Sequence, residues 1–220
     1  MISVIMSTYN NQSSVGYAIE SVLNQTYKDI ELLIMNDGSI DNTKEVLGKY
    51  LNNEKVKIFT NKENIGLTKS LNILINESKG NFIARQDSDD ISIDSRLEKQ
   101  LNFIKKHNLD ACTTRAINMQ SRKLVPGLSY YLPYILSTKF KNPFIHGTLM
   151  IKTDLIKNLM YDEEYYFAQD YALFLNLIKN FKIKTINSGL YELNTKNNIS
   201  ENFKKEQKKY FDLARKNYLS

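Results

Sequence analysis

The first 90 residues alternate β-type and α-type hydrophobic patterns, and that alternation limits the fold more than any other feature. Ile2–Ser7 is a short β-branched run. Ser14–Asn24 places Val15, Ala18, Ile19, Val22 and Leu23 at helical spacing. Ile30–Met35 is nearly all apolar, as expected of a strand covered on both faces. Asp41–Leu51 reads as a helix capped by Asp41, Val56–Thr60 as a third strand and Leu67–Ile75 as a helix. Phe82–Ala84 is a fourth strand that runs straight into Asp87-Ser88-Asp89-Asp90. A βαβαβαβ order predicts an α/β fold with a parallel sheet and helices on both faces. Ligands of such sheets sit beyond the carboxyl ends of the strands. Three polar clusters fall there: Ser7-Thr8-Tyr9-Asn10, Asn36-Asp37-Gly38-Ser39 and Asp87–Asp90.

The second half is less regular. Ser95–His107 predicts an amphipathic helix, with His107 a favourable cation near its C-terminus. Asp110–Met119 predicts a strand, and residues 120–140 show no period. His146–Ile151 reads as a strand that His146 begins, with a short helix after it. Asp170–Asn180 is an apolar-rich helix, Lys182–Ile186 a strand, and Glu201–Ser220 a basic amphipathic tail with Phe203, Tyr210, Phe211, Leu213 and Ala214. Without an internal repeat or linker, residues 1–220 are expected to form a single domain.

Composition narrows the class. A chain of 220 residues with 42% apolar side chains can bury a core of that size. No apolar run reaches the roughly 18 to 20 residues of a membrane span. Met1-Ile2-Ser3-Val4 lacks the basic start and the cleavage site of a signal peptide. The single cysteine, Cys112, excludes an internal disulfide, fits a reducing, cytoplasmic setting, and reads as core. The net charge of +6 is uneven: residues 1–100 carry 11 basic and 14 acidic groups, residues 101–220 carry 19 and 10. That polarity suits an anionic substrate or a membrane surface, and equally a solvated Lys-rich surface. No nucleic-acid-binding module occurs, so nucleic acid is not an expected partner.

Asp87-Ser88-Asp89-Asp90 carries the most chemistry. Three carboxylates in four residues repel one another unless a cation or strong donors compensate. Hard divalent cations such as Mg²⁺ or Mn²⁺ bridge such oxygens to phosphates, while a helix-capping turn is the plain alternative. An EF-hand fails, because Ile91 and Ser92 stand where Asp or Asn and then Gly are needed. A phosphatase-type aspartyl nucleophile fits poorly with Asp90-Ile91 after the second Asp. Asp37 at a strand end could accept from a base N–H, and Gly38 would let a ligand approach the backbone; Asp-Gly is also an ordinary turn. Asn64-Ile65-Gly66 has the same two readings. Neither a G-x-G-x-x-G nor a P-loop is present.

Taken in order, these segments resemble the inverting family 2 glycosyltransferases of the GT-A fold over about residues 1–180. The resemblance lies in Ile2 to Asn10, Ala18-Ile19-Glu20-Ser21-Val22-Leu23-Asn24-Gln25-Thr26-Tyr27, Asn36-Asp37-Gly38-Ser39-Ile40-Asp41-Asn42-Thr43 and Asn64-Ile65-Gly66-Leu67. It continues through Ala84-Arg85-Gln86-Asp87-Ser88-Asp89-Asp90, Arg96-Leu97-Glu98-Lys99-Gln100 and Ala168-Gln169-Asp170-Tyr171. It implies a mixed, mostly parallel sheet, a nucleotide-binding half at 1–100, an acceptor-binding half at 101–200 and a basic C-terminal helix.

The resemblance also implies roles. Thr8, Tyr9, Asn10, Asp37, Asn64 and Gly66 would surround the nucleotide. Arg85 would lie near the diphosphate, and Asp87-Ser88-Asp89 would be the D-x-D, with Asp87 toward the ribose and Asp89 on Mn²⁺ or Mg²⁺. Asp90 would help hold donor sugar or acceptor. His146 would reach metal or phosphate, though a lone His is more often structural. Asp170 would be the catalytic base, with a helix N-cap as the alternative; Gln169 stands where the family usually carries Glu. The implied partners are a nucleotide sugar, expected to be a UDP-sugar, and a glycan or lipid-linked glycan acceptor. By its own composition, the basic tail from Lys204 to Lys216 could lie on the inner face of the membrane, pack as an ordinary helix with a solvated Lys face, or form a dimer contact. The Q-x-x-R-W motif of processive synthases is absent, and there is no Trp. A nucleotidyltransferase and a non-catalytic nucleotide-sugar-binding protein are the alternatives.

Overall fold

A computed structural model describes residues 1–196 and 204–219. In the first half β1 (Ile2–Thr8), β2 (Ile30–Asn36), β3 (Val56–Thr60) and β4 (Phe82–Arg85) alternate with helices α1 (Val15–Leu23), α2 (Thr43–Gly48) and α3 (Leu67–Glu77). A two-residue strand β5 (Ile91–Ser92) and helix α4 (Arg96–His107) follow. The second half adds β6 (Ala111–Asn118), β7 (Leu124–Val125), α5 (Tyr134–Thr138), β8 (Met150–Lys152), α6 (Thr153–Leu159), α7 (Gln169–Asn180), β9 (Ile183–Leu193) and α8 (Lys204–Leu219).

The strands form one mixed sheet in the order β3-β2-β1-β4-β8-β6-β9-β5, with β7 on β6. The first four are mutually parallel and β6 is parallel to β9, whereas β8 runs against both of its neighbours. Side chains of a strand alternate between faces, so a strand with apolar residues at every position needs cover on both. Ile2, Val4 and Met6 pack with α1, α2 and α4 through Ile19, Leu47 and Leu101. Ile5, Leu33 and Met35 pack on the opposite face with α3, α6 and α7 through Leu71, Ile156 and Phe174. The expected α/β architecture with helices on both faces is what the chain adopts.

Three boundaries differ from expectation. His146 does not begin a strand: His146–Thr148 is a 3₁₀ turn and the strand starts at Met150. Gly147 is packed against the Tyr191 hydroxyl and the Asp87 carboxylate, and the Thr148 hydroxyl bonds back to the Ile145 carbonyl at 2.8 Å, closing the turn. The last strand runs to Leu193 rather than Ile186, because a register shift between Thr114 and Arg115 absorbs Asn187 and Ser188. Helix α2 stops at Gly48, although Asp41 does accept its first N–H, from Thr43, at 3.0 Å.

The C-terminal helix α8 packs on α7. Phe211 stacks on Tyr171 at 3.8 Å with rings 8° apart, and Ala214 is buried. Asn217 Nδ2 donates to the Tyr165 hydroxyl at 3.0 Å. Tyr210, Phe211, Ala214 and Tyr218 are therefore turned to the protein, while Leu213, Lys205, Lys208 and Lys209 are exposed. Residues 201–203, with Phe203, and Ser220 lie outside the described residues.

Phe174 sits at the centre of the second face, stacked on Phe144 at 4.5 Å. Phe174→Ala is expected to lower the unfolding free energy by about 3–5 kcal/mol in urea titrations followed by circular dichroism.

Candidate active site

The loops that follow β1, β2 and β4 are tied together at their strand ends. The Asn10 N–H donates to Ser39 Oγ at 3.0 Å, and Asn10 Oδ1 accepts the Ile40 N–H at 2.9 Å. Asn10 adopts φ 50°, a left-handed conformation that Asn tolerates. The Asn11 N–H donates to Thr43 Oγ1, and Asn11 Nδ2 reaches Ser88 Oγ at 2.8 Å, joining the first loop to the acidic loop. Thr8 is buried, and its hydroxyl has no partner among the described residues. A buried hydroxyl without a partner is uncommon, and a ligand at the strand ends would satisfy it. Tyr9 is exposed beside it.

Asp37 does more structural work than expected. Its Oδ1 accepts Asn61 Nδ2 at 2.8 Å and the Ile65 N–H at 3.0 Å, and its Oδ2 accepts the Gly66 N–H at 3.0 Å. The buried carboxylate thus fixes the loop that carries Asn64, which is exposed, and Gly66. Oδ2 retains acceptor capacity for a ligand. Gly38 has φ +70°, and a Cβ there would overlap the Glu63 backbone, so the two loops touch backbone to backbone.

The acidic loop is held from both sides. Arg85 is 1% exposed and pairs with Asp87 Oδ1 at 2.6 Å; it also donates to the Ile5 and Gln86 carbonyls. Arg85 thus lies under the loop rather than open at its surface. Across the sheet, β5 pairs with the end of β9, matching Ser92 with Tyr191. That register places the buried Tyr191 hydroxyl 2.9 Å from the Asp87 N–H, which donates to it, and the Asn194 N–H 2.6 Å from Asp90 Oδ1. Arg96, also buried, donates to the Gly147 and Arg85 carbonyls and lies 5.1 Å above the Tyr191 ring.

Crowding shows in the electrostatics. Burial and then the Asp87 charge push Asp89 up to about 6. Burial, then Asp87 and Asp89, push Asp90 up to about 8. Asp87 has Arg85 and Asp90 has Asn194, while Asp89 takes a hydrogen bond only from its own backbone among the described residues. A donor set of repelling carboxylates with one left open fits a hard divalent cation that brings further oxygens with it. No three His, Cys, Asp or Glu side chains form a ready-made metal cage among the described residues.

His146 lies on the other side of Asp87. Its Nε2 is 2.6 Å from the Tyr161 hydroxyl, and burial followed by Arg85 pushes the imidazole down to about 4. His146 is therefore neutral near pH 7. The charges acting on it are Arg85, Asp170 and Asp87, so all three lie near the imidazole. Asp170 occupies the second position of α7, behind Ala168 at φ 58°, and is not the N-cap. Its Oδ2 accepts Asn142 Nδ2 at 2.7 Å. A carboxylate in a first turn is favoured by the helix dipole.

Sequence reasoning gives no role to Asn11, Arg96, Asn142, Tyr161, Tyr191 or Asn194. Arg96 stands in a motif of the resemblance, which was a signal. Tyr191 and Asn194 reach the acidic loop only through the β5–β9 register, which local pattern does not encode.

The glycosyl transferase family 2 profile matches residues 3–174. The chain is 30% identical over 217 residues to the Escherichia coli UDP-Glc:alpha-D-GlcNAc-diphosphoundecaprenol beta-1,3-glucosyltransferase WfgD, covering 97% of this chain and 85% of that protein. It is 33% identical over 166 residues to Bacillus subtilis EpsE, covering 72% of this chain but only 58% of that protein's length. Its fold matches S. aureus TarS 1–349 in complex with UDP-GlcNAc with a TM-score of 0.81 at 21% identity, over 97% of this chain and 65% of that one. With the GT-A fold and the family's motifs in order along the sheet, the chain belongs to glycosyl transferase family 2.

Proposed function

We propose that the protein moves one sugar from a nucleotide sugar, a UDP-sugar, to a hydroxyl of a glycan or lipid-linked glycan acceptor in surface-polysaccharide synthesis, with inversion at the anomeric carbon. The observation that supports this is Asp170 itself: a carboxylate in the first turn of α7, bonded by Asn142 and close enough to His146 to act on it, as Asp87 also does. UDP is the donor base favoured by likeness, since WfgD is named for UDP-Glc and TarS is bound to UDP-GlcNAc. WfgD's named acceptor, a diphosphoundecaprenol-linked sugar, supports the lipid-linked class and a working place on the inner face of the membrane.

In this reading the chain is one domain, with the nucleotide half at 1–100, the acceptor half at 101–200 and the basic helix after it. Thr8, Tyr9, Asn10 and Asp37 surround base and ribose, with Asn64 and Gly66 on the loop that Asp37 fixes. Asp87 and Ser88 orient the ribose side, Arg85 supports the diphosphate end through Asp87, and Asp90 holds donor sugar or acceptor. Asp89 and His146 would hold Mn²⁺ or Mg²⁺, which when bound neutralises charge growing on the leaving diphosphate. Asp170 accepts the proton of the attacking hydroxyl through Oδ1, because Oδ2 is engaged by Asn142. Being neutral, His146 has the form of imidazole that can ligate a metal.

The test is nucleotide release from a panel of UDP-, GDP- and dTDP-sugars, with Mn²⁺ or with EDTA, followed by transfer to a lipid-linked acceptor. UDP release that EDTA abolishes is expected. Asp170→Asn is expected to lower the transfer rate by about 10²- to 10⁴-fold with donor KM little changed. An Asp170→Asn protein as active as the parent, or a parent with no transfer, would sink the base assignment and favour a non-catalytic binder. Asp89→Ala is expected to abolish the Mn²⁺-dependent thermal shift given by UDP; a shift that survives removes Asp89 as the metal ligand.

A further inference from the structure

Residues 128–141 invert the usual sorting of side chains. The polar Ser137 and Thr138 are buried, while Leu128, Ile135 and Phe140 are 87%, 63% and 77% exposed. Tyr131, Leu132 and Leu136 are exposed as well. A surface meant only for water rarely gathers so many large apolar groups in one short stretch.

This stretch is not a loose loop that could fold its apolar groups away. Tyr134 turns inward: its hydroxyl accepts the Thr185 N–H at 2.9 Å, and its ring packs on Phe144 at 4.9 Å. The Ser137 and Thr138 hydroxyls donate to the Tyr134 carbonyl, and the Thr138 carbonyl accepts the Tyr171 hydroxyl at 2.5 Å. The inner side is polar, bonded and fixed, so the apolar side stays outward.

Charge narrows what covers it. From Ala111 to Thr153 there is no Asp or Glu. Of the six basic residues there, Arg115 is buried, Arg122 pairs with Glu192 and Lys152 with Asp110, which leaves Lys123, Lys139 and Lys141 exposed and without a carboxylate partner among the described residues. Lys139 and Lys141 are exposed and flank Phe140. Aromatic and aliphatic groups interleaved with ammonium groups, and free of carboxylates, match an anionic bilayer surface. There the apolar groups enter the headgroup boundary and the ammonium groups meet phosphates. Helix α8 fits that task less well, because its Tyr210, Phe211, Ala214 and Tyr218 pack on the protein. The stretch also ends beside Asn142, which orients Asp170.

We propose that residues 128–141 are the face by which the protein docks on an anionic bilayer, with Leu128, Ile135 and Phe140 in the headgroup layer and Lys139 and Lys141 on lipid phosphates. Docked this way, the Asp170 end of the site is presented to a lipid-linked acceptor. That last consequence rests on the acceptor reading above; the docking does not.

The test is cosedimentation of the full chain with phosphatidylglycerol–phosphatidylcholine vesicles and with phosphatidylcholine vesicles alone. No donor or acceptor is present, so the result is independent of the Asp170 and Asp89 variants. Binding to the anionic vesicles is expected to fall about tenfold or more in L128S/I135S/F140S and in K139E/K141E, and to persist in K208E/K209E on α8. All these positions are exposed, and melting curves check that each variant folds. No binding by the unaltered chain, unchanged binding in either segment variant, or loss confined to K208E/K209E overturns the proposal. Sedimentation velocity reads the rival occupant: a dimer that L128S/I135S/F140S splits, without vesicle binding, makes this a contact between copies and also overturns it.

Discussion

Everything at the carboxyl end of this sheet depends on keeping three carboxylates together. Two like charges about 4 Å apart repel by about 4 kcal/mol at an effective dielectric of 20. One hydrogen bond to a charged group returns about 1.5–3 kcal/mol. The crowding shows in Asp90, which is pushed up to about 8 and so is largely protonated near pH 7, and the fold supplies partners for it and for Asp87. Arg85 pairs with the Asp87 carboxylate, the Asn194 N–H and the Tyr191 hydroxyl bond Asp90, and Tyr191 also accepts the backbone N–H of Asp87, which fixes the loop. Arg96 braces both sides by bonding the carbonyls of Arg85 and Gly147. Gly147 has no room for a side chain because the Asp87 carboxylate and the Tyr191 hydroxyl fill that space.

The same constraint explains why the two halves of the chain are not independent. The first four strands build the parallel half of the sheet and bring Thr8, Asp37 and the acidic loop to one edge. Two partners of that loop, Tyr191 and Asn194, come from the end of β9 and the residue after it, and Asp170, which acts with Asp87 on His146, comes from α7. Asp170 is steady because α7 is gripped on both sides, by Phe144 against Phe174 and by Phe211 against Tyr171. Offset-stacked aromatic pairs add about 0.5–1.5 kcal/mol beyond the area they bury.

How legible this was in the sequence follows from the range of the interactions. The first half was readable because each βα unit buries its own apolar stripe against a neighbouring strand, so a local period reports the element. Ile30–Asn36 is buried at every position, and apolar except at Glu31 and Asn36, because both of its faces are covered. Residues 120–140 gave no period because their apolar side chains point outward and polar ones inward, the reverse of the rule that period-reading assumes. His146 was misread as strand because Ile145 and Leu149 to Ile151 are apolar, and the packing that forces a turn comes from Tyr191, far along the chain. The end of β9 was missed because Asn187-Ser188-Gly189 looks like a turn, yet a bulge carries it through. Of the residues read as a site, the strand-end loops and Asp170 emerged from motif order. Asn142, Tyr161 and Tyr191 could not, since only tertiary pairing brings them near.

The two bonds that close the acidic loop, Asp87 to Tyr191 and Asp90 to Asn194, each span 104 residues. A chain emerging from the ribosome exposes Asp87–Asp90 long before either partner has been made. The parallel strands β1 to β4 can pair early, but the loop beyond them has to wait, with its carboxylates still in water, until β9 arrives. Closure of the acidic loop therefore has to follow synthesis of β9, although the loop itself is written in the first hundred residues. A nascent chain stalled before β9 would hold the four parallel strands β1 to β4 but neither Tyr191 nor Asn194, and so no closed acidic loop.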